Sequence, residues 1–472
     1  MKTQWIYAKM ISIRRRWAAH NYQLRLSEQL GWAMGSMGTG VMIGALTGYG
    51  LYYMTNYLGI AAGVAGSLIG LSKLFDMISD PVMGQISDRT ETKWGRRRPY
   101  LMVGAIACPL ALLLLFHVPA FENNTTTVAV IFLVLLLYAA AFTSFNVPYF
   151  AMPAEMTSNY HERTVIMSQR IFFSTMSVVS VSVMGPFIIE AFGGGIAGYK
   201  GMSWVMACIV FLGMGTTFLL TRNVAFTLRS ERSNYRIRSQ IKLILNNKPF
   251  CTFIIAKSLI FIGSASAQGT LLFMGQFVLG RGEMILVGFG IGYTVGVVLS
   301  LPIWTYLIAK VLGKRNAFRI ASIGLGLAML TWWIAVPDES FIVFYSRFFL
   351  MGIFSAGGLV SGSAMLPDII EYDRWRSGLS QEGLYAATFS LIEKIAYTAG
   401  PAMLGLLLSA AGFIAVQKGQ FVDQPDAAIT AIRVAVSIIP AVLSIIGGLI
   451  IGFYDLDEAK LKSAQSMSSG TT

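Results

Sequence analysis

The sequence predicts an all-α integral membrane fold, twelve transmembrane helices in two six-helix halves, and three observations carry that prediction. The 472 residues are 55% hydrophobic and only 12% charged, about half the charged fraction of a soluble chain. Apolar runs recur along the whole length, each with the ~18 residues that a bilayer-crossing helix needs. A polar, basic stretch near the middle, "RNVAFTLRSERSNYRIRSQIKLILNNKPF", separates them into two sets of six. A mean hydropathy of +0.63 agrees.

The expected spans are 29–56, 61–87, 98–118, 127–155, 168–193 and 199–221, then 249–279, 284–309, 317–336, 340–366, 383–413 and 428–454. Each is expected to be a helix, because a segment alone in hydrocarbon must satisfy its own backbone hydrogen bonds. The chain then divides into a tail (1–28), an N-terminal half (29–221), a linker (222–248), a C-terminal half (249–454) and a second tail (455–472). Basic residues fall on one side of this layout. Arg14, Arg15, Arg16 and Arg25, the 2–3 loop (Arg89, Lys93, Arg96, Arg97, Arg98), the linker, the 8–9 loop (Lys310, Lys314, Arg315) and Lys460 and Lys462 lie there, against Lys200, Arg281 and Lys418 opposite. That asymmetry places both tails and the linker in the cytoplasm of a cell with a plasma or inner membrane. It also accounts for the net charge of +13 without nucleic acid, as basic loops facing anionic lipid.

Cys108, Cys208 and Cys251 sit in or beside apolar runs without metal or disulfide spacing. The first thirty residues lack an apolar core ahead of their arginines, so no cleaved signal peptide is expected. No phosphate-cradling glycine loop, paired zinc ligands or nucleophile elbow is present. The expectation is therefore no enzyme and no cofactor. The glycines, such as Gly35, Gly38 and Gly40 in span one, suit close helix packing.

Ionisable residues within spans cost several kcal/mol and mark function by default. Span two holds Lys73, Asp76 and Asp80, with Ser79 beside them. Spacings of three and four put the charged residues on one helix face, which cannot face lipid and should line a cavity. Two neighbouring carboxylates repel, and a bound cation or a shared proton relieves them. The structural alternative is a Lys73–Asp76 pair with Asp80 hydrated near the cytoplasmic end. Thr143 and Asn146 in span four, Arg170, Lys257, Arg347, Glu393 and Lys394 are further candidates, each equally open to a plain helix–helix ion pair. His20, His117 and His161 lie outside or at the ends of spans, so no buried histidine relay is expected.

The 8–9 loop "AKVLGKRNAF" echoes the 2–3 loop, Gly313-Lys314-Arg315 repeating Gly95-Arg96-Arg97. Two parallel six-helix halves is the plan of the major facilitator architecture. The stretch "FDMISDPVMGQISDRTETKWGRRRPY", together with "NVPYFAMPAEMTSNYHERT" and "LPDIIEYDRWRSGLSQEGLYAATFSLIEK", closely resembles the glycoside–pentoside–hexuronide:cation symporters, the melibiose-permease family of that superfamily. The span-two motif and the element formed by Glu371, Tyr372, Asp373, Trp375 and Gly378 are its specific parts, and the pattern covers essentially all twelve spans.

The resemblance implies a cation-coupled sugar importer, a Na⁺:sugar or H⁺:sugar symporter acting as a monomer by alternating access, with the sugar held between the halves. By position, Asp76, Asp80, Ser79 and Thr143 match the family's cation site, where the melibiose permease has asparagine in place of Ser79. Lys73 and Lys394 match coupling residues, and Arg170 matches an arginine near the sugar. Phe150 falls where the melibiose permease stacks a tryptophan on sugar. Span eleven, with Ser390 and Glu393, matches the helix that lines the sugar pocket. The sugar-binding aspartates of spans one and four are replaced by Gly40 and Asn146, and Glu393 stands where the permease is apolar, a candidate replacement carboxylate. Asp88, Arg89, Arg96, Arg97, Arg98, Arg163, Glu371 and Asp373 are expected to form a cytoplasmic latch. Two other readings stay open, a lysolipid:sodium symporter of a sibling group and a membrane sensor that binds without transport. The resemblance does not name the sugar or the coupling ion.

Overall fold

The structure, a computed structural model, describes residues 24–92, 94–157, 160–224, 246–377, 382–415, 422–456 and 460. Among them there is no β-strand. The long helices are α1 (26–56), α2 (Ala62–Arg89), α3 (Arg98–His117), α4 (Asn124–Ala151), α5 (160–191) and α6 (Gly195–Leu220). They continue with α7 (Lys248–Val278), α8 (284–312), α9 (313–334), α10 (Phe341–Ser377), α11 (Glu382–Ala410) and α12 (Asp426–Phe453).

Among the described residues, ten stretches are long and apolar enough to cross a membrane. One of them, Met284–Ile334, contains both α8 and α9, broken where Gly313 takes φ +69°, a conformation a side chain disfavours. Helix α1 is a further long helix, whose Glu28, Gln29, Ser36 and Thr39 dilute its apolar character. The arrangement is consistent with twelve spans.

Helix starts follow from local chemistry. At α1 the Glu28 carboxylate accepts from the Arg25 N–H at 3.0 Å, and Glu162 of α5 accepts from the Leu24 N–H at 2.9 Å. Acidic groups at this end satisfy orphan donors and complement the helix dipole. Asn123 caps α4 through the Thr125 N–H, 2.9 Å, and Asn247 caps α7 through the Phe250 N–H, 3.1 Å. Two ends differ from the hydropathy limits. Helix α10 runs to Ser377 rather than 366, and α5 begins at Tyr160 rather than 168. Hydropathy marks the apolar part of a helix, whereas the polar turns beyond it hold themselves. On α10 these turns carry the Asp373–Arg376 pair, 3.6 Å, and a Trp375–Glu371 contact, 3.5 Å, at helical spacings.

Contacts divide the chain into two compact units. The first is Met1–Leu46 with Phe75–Arg232, and the second is Thr47–Leu74 with Ser233–Thr472. The division falls inside α1 and α2. In the first unit, Trp32 stacks on Tyr149 with centroids 4.8 Å apart and donates its indole N–H to the Tyr149 carbonyl at 3.1 Å. In the second, Phe250, Phe253, Phe318, Met365, Ile369 and Tyr385 form a buried cluster joining α7, α9, α10 and α11.

Helices α8 and α10 pack backbone to backbone. A Cβ on Gly352 would stand 2.9 Å from the Val297 nitrogen and 3.0 Å from the Gly296 Cα, so only glycine permits this approach. Gly352→Leu is therefore expected to destabilise the protein by about 1–3 kcal/mol, read as a lower melting midpoint of the detergent-solubilised chain.

Candidate functional site

The first unit gathers the span-two acids around one hydroxyl. Asp76, Ser79 and Asp80 come from one face of α2 and Thr143 from α4. The Thr143 hydroxyl donates to Asp80 Oδ1 at 2.8 Å and lies 3.5 Å from Asp76 Oδ1. Ser79 donates to Thr143 Oγ1 and to the Asp76 carbonyl, each at 3.3 Å. A threonine hydroxyl has one proton and two lone pairs, so it can satisfy one carboxylate well and offers the other only a marginal contact. Asp76 and Thr143 are 6% and 2% exposed. Convergent carboxylate and hydroxyl oxygens are the donor set of a hard cation. They equally suit a shared proton, since two close carboxylates resist ionising together.

Continuing along α4, Asn146 and Phe150 follow Thr143 at three- and four-residue steps, on one face. Asn146 is buried, and its Oδ1 has no hydrogen-bond partner among the described residues. The Arg170 guanidinium of α5 stacks over the half-exposed Phe150 ring, 4.3 Å from its centroid. Its Nε is likewise buried without a hydrogen-bond partner. Ser36 of α1 donates to the Arg170 carbonyl at 2.9 Å and ties α5 to α1. At Gly40 the space that a Cβ would take is filled by Ser177 of α5, with Ser177 Cβ 2.7 Å away. An acid on this turn of α1 has no room, so the group next available is the amide of Asn146.

Lys73 lies on α2 within the second unit's Thr47–Leu74 segment, and Lys394 on α11 of the same unit. Glu393, also on α11, acts electrostatically on Lys257 of α7. The side chains of Ser390 and Arg163 lie outside the described residues. Of the latch residues, Arg97 pairs with Asp88 at 3.3 Å within the first unit. Arg98 donates to the Phe218 carbonyl at 2.7 Å and stacks on the Phe218 ring. Arg89 is exposed at the end of α2 and Arg96 is half-buried. In the second unit Asp373 is 2% exposed and pairs with Arg376, while Glu371 accepts from Trp375.

Sequence reasoning found the acids and missed what shapes their surroundings. The Trp32–Tyr149 stack and the Ser177 filling of the Gly40 space carry no motif. Nor does Gly362, where a Cβ would stand 2.8 Å from the Lys257 Nζ. A Gly358/Gly362 pair one turn apart on α10 was the only available signal.

Comparison with known proteins agrees with this architecture. The chain is 26% identical over 460 residues to the isoprimeverose transporter of Lactiplantibacillus pentosus, covering 94% of this chain and 91% of that one. It is 25% identical over 452 residues to the putative glycoside/cation symporter YagG of Escherichia coli (strain K12), covering 93% and 94%. The crystal structure of a D-xylose-proton symporter superposes with a TM-score of 0.65 at 14% identity, over 92% of this chain and 98% of that one, a likeness of fold. The profile of the family described as MFS/sugar transport protein matches residues 31–458. This multi-pass membrane protein has the major facilitator fold and belongs to the MFS/sugar transport protein family, a family of transporters and not of enzymes.

Proposed function

We propose that the chain is a cation:sugar symporter that imports a glycoside, oligosaccharide or uronide across the inner membrane, driven by Na⁺ or H⁺. The observation that carries this reading is the single Thr143 hydroxyl set between Asp80 and Asp76. Two neighbouring carboxylates repel, and a cation among these oxygens offsets that repulsion. Neutralised acids fix α2 against α4, the helix that also carries Asn146 and Phe150. Cation and sugar then raise each other's affinity by one common factor, as linkage requires. A membrane potential adds about 2.3 kcal/mol per charge per 100 mV.

In this reading Asp76, Ser79, Asp80 and Thr143 hold the cation, and Lys73 and Lys394 couple it to the sugar. Asn146, Phe150, Arg170, Ser390 and Glu393 hold the sugar. Asn146 Oδ1 and Arg170 Nε, buried without hydrogen-bond partners, are an acceptor and a donor for hydroxyls, and the Phe150 ring supplies an apolar face. Asp88, Arg89, Arg96, Arg97, Arg163, Glu371 and Asp373 are assigned to a cytoplasmic latch whose ion pairs exchange during the cycle. Residues 29–221 and 249–454 are the two six-helix halves, both termini are cytoplasmic, and the protein works as a monomer. The transporter relatives and the family match support this assignment.

Asp80→Asn is expected to abolish gradient-driven accumulation in proteoliposomes, under imposed Na⁺ and H⁺ gradients separately, while sugar exchange persists. Full accumulation by that variant removes the cation-site assignment. Thr143→Ala is expected to raise the cation concentration for half-maximal uptake about tenfold, the loss of one hydrogen bond to a charged group. Asn146→Ala and Glu393→Gln should each raise the sugar KM. A Glu393→Gln protein with unchanged KM beside an inactive Asn146→Ala protein would show that Glu393 is not the replacement carboxylate.

A further inference from the structure

Helix α7 carries a charge deep in its length. Lys257 lies nine residues past Lys248, about 13 Å at 1.5 Å per residue, beyond easy reach of either interface. The structure builds a cage for it. Its Nζ lies 3.4 Å from the Gly358 carbonyl of α10, 5.2 Å from the Phe261 ring and 5.3 Å from the Phe318 ring of α9. The missing side chain of Gly362 makes the space, since a Cβ there would stand 2.6 Å from Lys257 Cε and 2.8 Å from Nζ. A carbonyl and two aromatic faces favour a cation, each by about 1 kcal/mol, which falls short of the cost of a lone ammonium in hydrocarbon.

Glu393 of α11 acts electrostatically on this ammonium. Phe389, Glu393 and Tyr397 are four residues apart on one face of α11. The Phe261 ring contacts both neighbours of Glu393, Phe389 at 6.3 Å and Tyr397 at 5.4 Å between centroids. The ring that lies under Lys257 thus spans the turn that carries Glu393. Leu391 and Ile395, about 200° away around the helix, are 43% and 44% exposed and form the apolar face. Glu393 therefore points away from lipid. Lys257 and Glu393 are both half-buried, unlike the Arg347–Glu339 pair of the same unit, whose side chains are 7% and 4% exposed.

We propose that Lys257, seated by Gly362, is a positioning residue whose charge orients the Glu393 carboxylate to accept a sugar hydroxyl. The assignment rests on the reading of Glu393 as a sugar-binding carboxylate. It gives this transporter an acidic hydroxyl anchor in its second unit, where positions 40 and 146 no longer supply one in the first.

The test uses the purified full chain in proteoliposomes, with labelled isoprimeverose, lactose and phenyl glucuronide as probes. Lys257→Met is expected to raise KM about tenfold or more for whichever probe the wild type carries, with the maximal exchange rate and the half-activating cation concentration unchanged. Gly362→Ala, which keeps both charges and moves the ammonium, shifts KM the same way by less. The Lys257→Met/Glu393→Gln double variant equals Glu393→Gln alone, because one residue acts through the other. Should Lys257→Met lose its melting transition, Gly362→Ala decides the matter. Unchanged KM in Lys257→Met or Gly362→Ala, or additive effects in the double variant, overturns the Lys257 assignment while Glu393→Gln still tests the sugar site. A wild-type chain that carries none of the three probes overturns the sugar reading itself, and the assignment with it.

Discussion

Hydrocarbon offers an ion no water, and each charged group within these spans is placed by that constraint. Asp76 and Asp80 converge on the Thr143 hydroxyl. Arg170 lies on the Phe150 ring and Lys257 between two others. Arg347 closes against Glu339 and over Trp332. An unmatched charge here costs several kcal/mol, comparable to the whole stability of many domains. Arg347 and Glu339 are sealed against each other through Glu339 Oε2, while Glu339 Oε1 is buried without a hydrogen-bond partner among the described residues. The two aspartates converge on one hydroxyl from the neighbouring helix.

The two units divide the recognition chemistry. The first presents clustered oxygens on α2 and α4, beside a neutral amide and a stacked guanidinium. The second carries the Glu393 carboxylate on α11, which acts electrostatically on Lys257 of α7. At Gly40 the helices pack closely, because Ser177 fills the place a side chain there would need.

Much of this was legible in the sequence because hydrocarbon imposes such simple rules. Helices are the only economical spanning structure, so apolar runs marked most helix limits to within a few residues. Lys73, Asp76 and Asp80 announced a shared face by spacing alone. Thr143 stood out as a polar residue in span four, but its place beside the acids came only by resemblance, since nothing in α4 itself marks one threonine as the partner of acids far away in sequence. Helix length failed at α10, because Asp373, Arg376, Glu371 and Trp375 sustain helical turns that hydropathy scores as loop. Gly362 was invisible for a more basic reason. Its contribution is the volume it leaves empty, and which atom fills that volume depends on a residue from another helix.

The pairing of α7 with α11 also bears on how the chain is made. Lys257 leaves the ribosome four helices before Glu393 exists, so α7 must enter the membrane with its ammonium not yet compensated. A helix carrying one central lysine inserts at a cost of about 2.5–3.5 kcal/mol, which the rest of its apolar length can bear but which favours a protected setting until α9, α10 and α11 arrive. Assembly of the second unit is thereby tied to order. The cage of Phe318, Gly358 and Gly362 closes around the lysine first, and the carboxylate that completes it comes last.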